Sequence, residues 1–220
     1  MIRAVLFDLE GTLVDFQWNL AAGEEELRRT AVACGFLPWP GDDYAGIWNR
    51  VAATAPLCLR PSLQDRFGTV YDRWDGDALK RWSPRPQARQ LLGFLRDEGV
   101  AAALVTNVGA KATARVLRRF RLDVFLSLVV TRNDVTFMKP RGEGVRQCLA
   151  GLGVREDDAL FVGDSVTDVR AAREAGIEVA VVAGGQSAGE EVRAASPTYM
   201  LSSLGEVREL VQQLRMNERG

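Results

Sequence analysis

Acidic side chains follow directly on the first apolar run of the chain. In "VLFDLEGTLVD", residues 5–15, three apolar residues lead into Asp8, and Glu10 comes two positions later. Further polar residues follow later apolar runs: Thr106, Asn107, Lys139, Asp164 and Asp168. In an open parallel sheet the carboxyl ends of the strands converge on one crevice. We therefore expect carboxylates, a hydroxyl, an amide and an ammonium to meet at one place.

This set of groups suits phosphoryl transfer. An aspartate can attack a phosphorus atom, but its charge repels the phosphate dianion. A Mg²⁺ ion held by Asp8 and Asp164 would neutralise the pair. Thr106, the amide of Asn107 and Lys139 would hold the equatorial oxygens while charge redistributes. For Asp164 and Asp168 a simpler interpretation stays open, because Asp is favoured at a helix N-terminus as a cap.

Lys139 stands out against the composition of the chain. Positive charge is carried mainly by arginine, and the lysines are Lys80, Lys111 and Lys139. A compact ammonium suits a site where a phosphoryl group and aspartates share one cation.

The composition excludes several other chemistries. Histidine is absent, which removes Ser-His and Cys-His nucleophile pairs and any imidazole-ligated metal. Oxygen ligands then favour a hard cation, with Mg²⁺ the expected cofactor. The odd, scattered Cys34, Cys58 and Cys148 argue against a disulfide framework and are predicted to be buried apolar side chains.

Charge and hydropathy bear on partners and compartment. A net charge of -1 gives no reason to expect nucleic acid or an anionic membrane as a partner. The first apolar run is too short for a signal peptide, and no later run could span a bilayer. The cytoplasm is the expected compartment, and the oligomeric state is not predicted.

Short apolar runs alternate with helical patterns along most of the chain. The predicted strands are Val5–Phe7, Ala101–Val105, Leu126–Val130, Ala159–Val162 and Val179–Val182. Near-continuous apolar runs without alternation are typical of strands covered on both faces. The alternation predicts a doubly wound, three-layer α/β domain with a parallel sheet.

One segment, residues 16–83, breaks this alternation. It has no strand-like run, and it holds helical stretches over Leu20–Ala33, Tyr44–Ala53 and Gln64–Lys80. We predict a small α-helical cap domain over 16–83, inserted into a catalytic core of residues 1–15 and 84–220. All five tryptophans fall in this segment and are expected mostly to build its core.

The chain resembles the phosphatase branch of the haloacid dehalogenase superfamily. Four motifs occur in order: "DLEGTL", "VTN", "KP" and "GDSVTD". The resemblance covers essentially the whole chain and implies that Asp8 forms an aspartyl-phosphate while Thr106 and Lys139 bind the phosphoryl group. It also implies a Mg²⁺ site made by Asp8, Asp164 and the backbone carbonyl of Glu10. Asp168 is also predicted as a residue of the metal site. In many relatives this acid instead orients the metal-bound water and the lysine.

Glu10 departs from the family pattern. The family usually has Asp there, which protonates the leaving alkoxide and later activates water. The extra methylene can move the proton by about 1 Å, enough to cost on the order of 10²-fold in rate. The enolase-phosphatase branch resembles this "EGT" turn, so activity is expected. In an alternative interpretation only the backbone carbonyl of Glu10 matters.

Several related functions stay open. A 2-haloacid dehalogenase, a phosphomutase and a weakly active or non-catalytic phospholigand-binding relative share the fold, whereas the insertion of about 70 residues speaks against a receiver-type signalling module. The best single prediction for the substrate is a phosphoglycolate-like ester. Arg50, Arg60 and Arg66 could bind its carboxylate, but exposed arginines are ordinary surface, and that second interpretation is favoured for each.

Overall fold

A six-stranded parallel sheet forms the centre of the protein. We analysed a computed structural model that describes residues 1–187 and 189–217. The strand order is β3-β2-β1-β4-β5-β6, with every pairing parallel. The strands are β1 (Ala4–Phe7), β2 (Ala101–Val105), β3 (Leu126–Val130), β4 (Ala159–Gly163), β5 (Glu178–Val182) and β6 (Tyr199–Leu201). Five of them lie where the apolar runs predict strands, and this confirms the expected fold class.

The sixth strand, β6, was not predicted. Its residues Tyr199 and Leu201 pair with Ala180 and Val182 at the edge of the sheet. It is only three residues long and its central Met200 is exposed, so it has no apolar run of the kind that marks the inner strands.

Helices cover both faces of the sheet. They are α1 (Leu20–Ala33), α2 (Tyr44–Thr54), α3 (Arg60–Ala78), α4 (Ala88–Asp97), α5 (Ala110–Phe120), α6 (Glu143–Leu152), α7 (Val166–Glu174), α8 (Gly189–Ala194) and α9 (Leu204–Asn217). Successive strand residues point to opposite faces. Val5 and Phe7 therefore pack in the core cluster with α4, α5 and α9, and Leu6 packs in the cluster with α6, α7 and α8.

Residues 16–83, all of them described, contain α1, α2, α3 and a 3₁₀ turn at Leu57–Leu59, and no strand. Helix α3 begins four residues before the predicted start, since Pro61 is tolerated in the first turn. The division into a cap and a core stays a prediction, and residues 218–220 of the predicted core lie outside the described residues. The Gly/Ser/Ala-rich sequence of residues 184–197 predicts a loop with a short helical turn, and α8 lies in this segment; its residue 188 is also outside the described residues.

The two chain segments that join these helices to the sheet run side by side. The backbone N–H of Asp15 donates to the carbonyl of Ser83 at 3.0 Å, and that of Arg85 donates to Leu13 at 2.9 Å. The backbone N–H of Ser83 returns a bond to the Asp15 carboxylate at 2.6 Å. The inserted helices are therefore attached through one short hydrogen-bonded pair of segments.

The prediction of buried cysteines was wrong for two of the three. Cys58 is exposed and Cys34 is only half-buried, because both lie near the surface of the inserted helices. Trp39 is 64 % exposed, with the Arg50 guanidinium 3.9 Å from its ring centroid, so it does not belong to a core. Trp18, Trp48 and Trp82 are buried. Among the described residues no helix has the length and apolar character needed to cross a membrane.

Candidate active site

Lys139 joins two of the predicted acids. Its Nζ lies 2.6 Å from Asp8 Oδ1 and 2.7 Å from Asp168 Oδ1, and all three side chains are buried. Asp8 follows β1, Lys139 lies between β3 and α6, and Asp168 is in the first turn of α7. Residues far apart in the chain thus meet at the carboxyl end of the sheet, as the topology predicts.

Asp164 is enclosed by the backbone around it. Thr12 Oγ1 donates to its Oδ1 at 3.0 Å, and the backbone N–H of Gln186 donates to its Oδ2 at 2.5 Å. A Cβ atom at Gly11 or Gly185 would lie 2.3 or 2.1 Å from Asp164 Oδ2. Glycine is therefore required at both positions for the backbone to approach the carboxylate this closely.

Helix α7 is capped by Ser165 and not by Asp164. The Ser165 side chain accepts from the backbone N–H of Asp168, and the Asp168 side chain accepts from that of Ser165, which together form a capping box. The capping interpretation is thus wrong for Asp164. It is right for Asp168, whose Oδ2 also accepts from Ser165 Oγ at 2.7 Å.

The three aspartates fit a divalent cation. Asp8, Asp164 and Asp168 each offer an oxygen, and these oxygens lie within 4.8 Å of one another. Burial raises the pKa of Asp8 to about 6, against the opposing charge of Lys139. Burial, followed by the charges of Asp168 and Asp8, raises the pKa of Asp164 well above its usual value. A buried oxygen cluster whose charges repel one another suits a hard cation such as Mg²⁺.

Lys139 itself is held in its charged form. Burial lowers its pKa, but the charges of Asp168 and Asp8 outweigh this effect and raise the pKa above the usual value for lysine. An ammonium thus remains beside the Asp8 carboxylate at every pH where the protein is expected to work.

Glu10 is anchored by both segments that lead to the inserted helices. Its Oε1 accepts from the backbone N–H groups of Gln17 and Trp18 at 2.7 and 2.6 Å, and from Trp82 Nε1 at 2.9 Å. Burial raises the pKa of Glu10 to about 7, although these hydrogen bonds favour the charged form. A pKa near 7 is the value that suits an acid–base group at neutral pH.

Thr106 and Asn107 lie at the end of β2, as predicted. Thr106 Oγ1 accepts from the backbone N–H of Val108 at 3.1 Å, so its own proton remains available to another acceptor. The Asn107 side chain is paired with the backbone of Lys139, since Nδ2 donates to its carbonyl and Oδ1 accepts from its N–H, both at 3.0 Å. Nδ2 also lies 3.2 Å from the Tyr44 hydroxyl. Asn107 thus positions the lysine segment.

These groups open into one narrow cavity of about 30 Å³, beneath the inserted helices. Its lining includes Asp8, Glu10, Thr106, Asn107, Lys139 and Asp168 and, from the inserted segment, Phe16, Trp18, Leu20, Tyr44, Tyr71 and Asp75. Asp164, also predicted for the site, is not among the lining residues. It accepts a hydrogen bond from the backbone N–H of Gln186, which is one of them. The sequence pattern does not reveal the aromatic side of the cavity, because tryptophan and tyrosine have the same helical spacing whether they line a cavity or pack in a core.

The arginines considered for a substrate carboxylate lie elsewhere. Arg50 pairs with Asp42 at 2.7 Å, Arg60 donates to the Ala55 carbonyl, and Arg66 lies against Cys34. None of the three lines the cavity. Surface roles were favoured for them, and the structure agrees.

A buried ion pair ties α3 to the sheet and was also missed. Asp75 Oδ2 accepts from Arg132 at 2.8 Å and from the backbone N–H of Gly109 at 2.9 Å, and its Oδ1 accepts from Trp18 Nε1 at 3.1 Å. Arg132 also reaches Asp72 at 2.7 Å. The sequence did indicate that Asp75 is buried, since its position falls on the same face of α3 as the apolar Phe67.

Groups that can attack, exchange a proton and stabilise negative charge meet here at the strand ends of a parallel α/β sheet, an arrangement that suits a hydrolytic enzyme. A family model for haloacid dehalogenase-like hydrolases matches residues 2–176, and the chain belongs to that family.

Named relatives agree with this assignment. The chain is 27% identical over 223 residues to a phosphoglycolate phosphatase of Pectobacterium atrosepticum, covering 96% of this chain and 92% of the relative. It is 27% identical over 222 residues to the pyrophosphatase PpaX of Halalkalibacterium halodurans, covering 96% and 97%. A crystal structure of a haloacid dehalogenase-superfamily hydrolase from Geobacter sulfurreducens has a TM-score of 0.60 and 24% identity, covering 96% of this chain and 100% of its own. The last of these similarities establishes the fold.

Proposed function

We propose that this enzyme is a Mg²⁺-dependent phosphomonoester hydrolase that acts on a small phosphorylated metabolite through phosphoryl transfer to Asp8. One observation carries the proposal: Asp8 lies 2.6 Å from the Lys139 ammonium and shares a buried carboxylate cluster with Asp164 and Asp168. A carboxylate that only stabilised the fold would not need both a cation and a metal-type cluster beside it. The family and the names of the relatives support the same reaction class.

In the first step a carboxylate oxygen of Asp8 attacks the phosphorus atom and the ester P–O bond breaks. The leaving alkoxide takes a proton from Glu10, whose pKa of about 7 leaves a large fraction protonated at neutral pH. The products of this step are the free alcohol, an aspartyl-phosphate at Asp8 and an ionised Glu10.

In the second step the ionised Glu10 accepts a proton from water. The water oxygen attacks phosphorus and the bond to Asp8 breaks, which releases phosphate and regenerates the Asp8 carboxylate. Glu10 thus ends the cycle protonated, as it began. The alternative in which only its backbone carbonyl matters does not explain why three N–H donors hold its side chain at the cavity.

Negative charge on the phosphoryl group is stabilised by this chain's own donors. Lys139 supplies an ammonium and Thr106 a hydroxyl proton. The side-chain amide of Asn107 is occupied by the backbone of Lys139, so we assign phosphate binding at this position to its backbone N–H. Asp8, Asp164 and the carbonyl of Glu10 would hold a Mg²⁺ ion, which would neutralise the repulsion between the nucleophile and the phosphate.

Asp168 acts mainly by positioning in this scheme. Its Oδ1 is bonded to Lys139 and its Oδ2 to the capping box of α7. It therefore adds charge to the metal cluster and fixes the lysine. Direct metal ligation by Asp168 stays a prediction.

Residues 16–83 would serve as a cap over a catalytic core of residues 1–15 and 84–220. The narrowness of the cavity, about 30 Å³, favours a small metabolite over a macromolecule as substrate. The sequence predicts phosphoglycolate-like esters as the substrate, a class that the charges of the cavity lining disfavour. A cytoplasmic location remains the expectation.

Phosphate release from p-nitrophenyl phosphate tests the proposal. Activity should require added Mg²⁺, and Asp8→Asn should abolish it. Asp157→Asn, an exposed acid, is the matched control and should retain activity. Activity that survives Asp8→Asn would overturn the mechanism, and halide release from a 2-haloacid without phosphate release would favour the dehalogenase alternative.

A further inference from the structure

The wall of the cavity that faces the phosphoryl site is apolar and aromatic. It is built by Phe16, Trp18, Leu20, Tyr44 and Tyr71, all from the segment between β1 and α4. The Trp18 and Tyr44 ring centroids lie 5.3 Å apart, so the two rings form one continuous surface. The leaving group of a phosphomonoester bound at Asp8 would lie against this wall.

Positive charge in this cavity is confined to the phosphoryl site. Among the described residues that line it, Lys139 is the single cation, and it already bonds Asp8 and Asp168. The carboxylic acids near the aromatic wall are Glu10 and Asp75, and the Tyr44 and Tyr71 phenols carry no positive charge. Arg132 forms ion pairs with Asp75 and Asp72 and does not line the cavity.

A second anionic group on the substrate would find no cation among these lining residues, only neutral donors such as the Tyr44 and Thr167 hydroxyls and the Gln186 amide. A carboxylate removed from water without a counter-ion is penalised more strongly than a neutral polar group. Glu10 and Asp75 would add repulsion when they are ionised. Both substrate types named for the relatives, phosphoglycolate and pyrophosphate, carry further negative charge on the leaving side.

We infer that this enzyme selects small phosphomonoesters with an uncharged, apolar or planar leaving group, and discriminates against leaving groups that carry a carboxylate or phosphate. The inference rests on the proposed phosphatase function. The specificity comes from the aromatic wall and from the lack of a second cation among the described lining residues.

A matched substrate pair tests this selectivity. 2-Phosphoglycolate and its carboxamide, 2-phosphoglycolamide, have the same number of heavy atoms and differ in charge. We expect kcat/KM for the amide to exceed that for the acid by about tenfold or more, since an unpaired charge in a closed site discriminates strongly. Equal values, or a preference for the acid, would overturn the inference.

A charge placed on the wall should reverse the preference. Leu20 is half-buried at the start of α1 and takes no part in the proposed chemistry. Leu20→Lys should raise kcat/KM for phosphoglycolate relative to the amide by about tenfold, and Leu20→Met should not. If Leu20→Lys does not fold, the wild-type substrate pair still decides.

The outcomes separate this inference from the function beneath it. Asp8-dependent hydrolysis with a preference for the acid overturns the selectivity alone. Hydrolysis of both substrates by Asp8→Asn, or a wild type that with Mg²⁺ hydrolyses neither of them nor p-nitrophenyl phosphate, overturns the proposed function and the selectivity with it. A wild type that hydrolyses p-nitrophenyl phosphate but neither member of the pair overturns the selectivity alone.

Discussion

The indole Nε1 of Trp82 lies 2.9 Å from Oε1 of Glu10. This hydrogen bond connects the second segment leading from the inserted helices to the candidate acid after β1. Gln17 and Trp18, on the first segment, donate to the same oxygen. The position of the Glu10 carboxyl is therefore linked to both attachments of the inserted helices, and a change in their arrangement would move it.

Glu10→Gln should reduce kcat by a factor on the order of 10²–10⁴, the usual contribution of a positioned acid–base group. Glutamine keeps an oxygen that accepts the three N–H bonds but cannot donate and recover the proton. Steady-state kinetics with p-nitrophenyl phosphate measures the effect, and a thermal melt checks that the fold is retained. A fully active Glu10→Gln variant would contradict the assignment of Glu10 as acid and base.

Trp82→Phe should lower kcat by about tenfold with little change in KM, because Glu10 loses one of the donors that position it. Trp39→Phe is the matched control, since Trp39 is exposed and distant from Glu10, and it should have no effect. Equal losses of kcat in the two variants would show that the indole bond does not position the carboxyl.

The stability of the metal-free protein should depend on pH through Glu10. Burial raises its pKa from 4.5 in the unfolded chain to about 7 in the folded protein. The folded state therefore holds a proton that the unfolded state has lost, and the free energy of unfolding falls as pH rises between these values, by about 3 kcal/mol from this group. Urea unfolding in EDTA from pH 4.5 to 8 should show a steeper fall for the wild type than for Glu10→Gln. Parallel curves would contradict the raised pKa.

Mg²⁺ should stabilise the folded protein through the aspartate cluster, independently of any turnover. At a concentration of one hundred times Kd, binding adds about 2.7 kcal/mol to the free energy of unfolding. Asp164→Asn should remove most of the shift in Tm that Mg²⁺ produces, whereas the exposed control Asp157→Asn should keep it. A Tm that responds to Mg²⁺ equally in both variants would place the ion elsewhere.

The Asp75–Arg132 pair should be coupled in a double-mutant cycle. Removing either partner alone, as in Asp75→Leu or Arg132→Met, leaves a buried charge and should cost about 3–5 kcal/mol of unfolding free energy. The double variant should cost less than the sum of the two. Urea unfolding of the wild type, the two single variants and the double variant measures the coupling. Additive losses of unfolding free energy would mean that the 2.8 Å contact contributes no coupling.

Much of the fold could be predicted from the sequence alone. Five strands appear as near-continuous apolar runs because helices cover both faces of the sheet. Helix α1 spans its predicted residues, since its ends are marked by the Asn19 cap and by Cys34–Gly35, where the backbone turns. Strand β6 escaped prediction because a three-residue edge strand has too few buried positions to show a pattern.

The sequence by itself also determined which residues meet at the strand ends. Asp8, Thr106, Lys139 and Asp164 each follow a strand of a parallel sheet, and the topology brings such ends together whatever the details of packing. The tertiary structure alone decided how Glu10 is held, which residues form the aromatic wall, and that Asp75 pairs with Arg132. These contacts join residues up to 72 positions apart and depend on how the inserted helices pack on the sheet, which no local pattern of residues records.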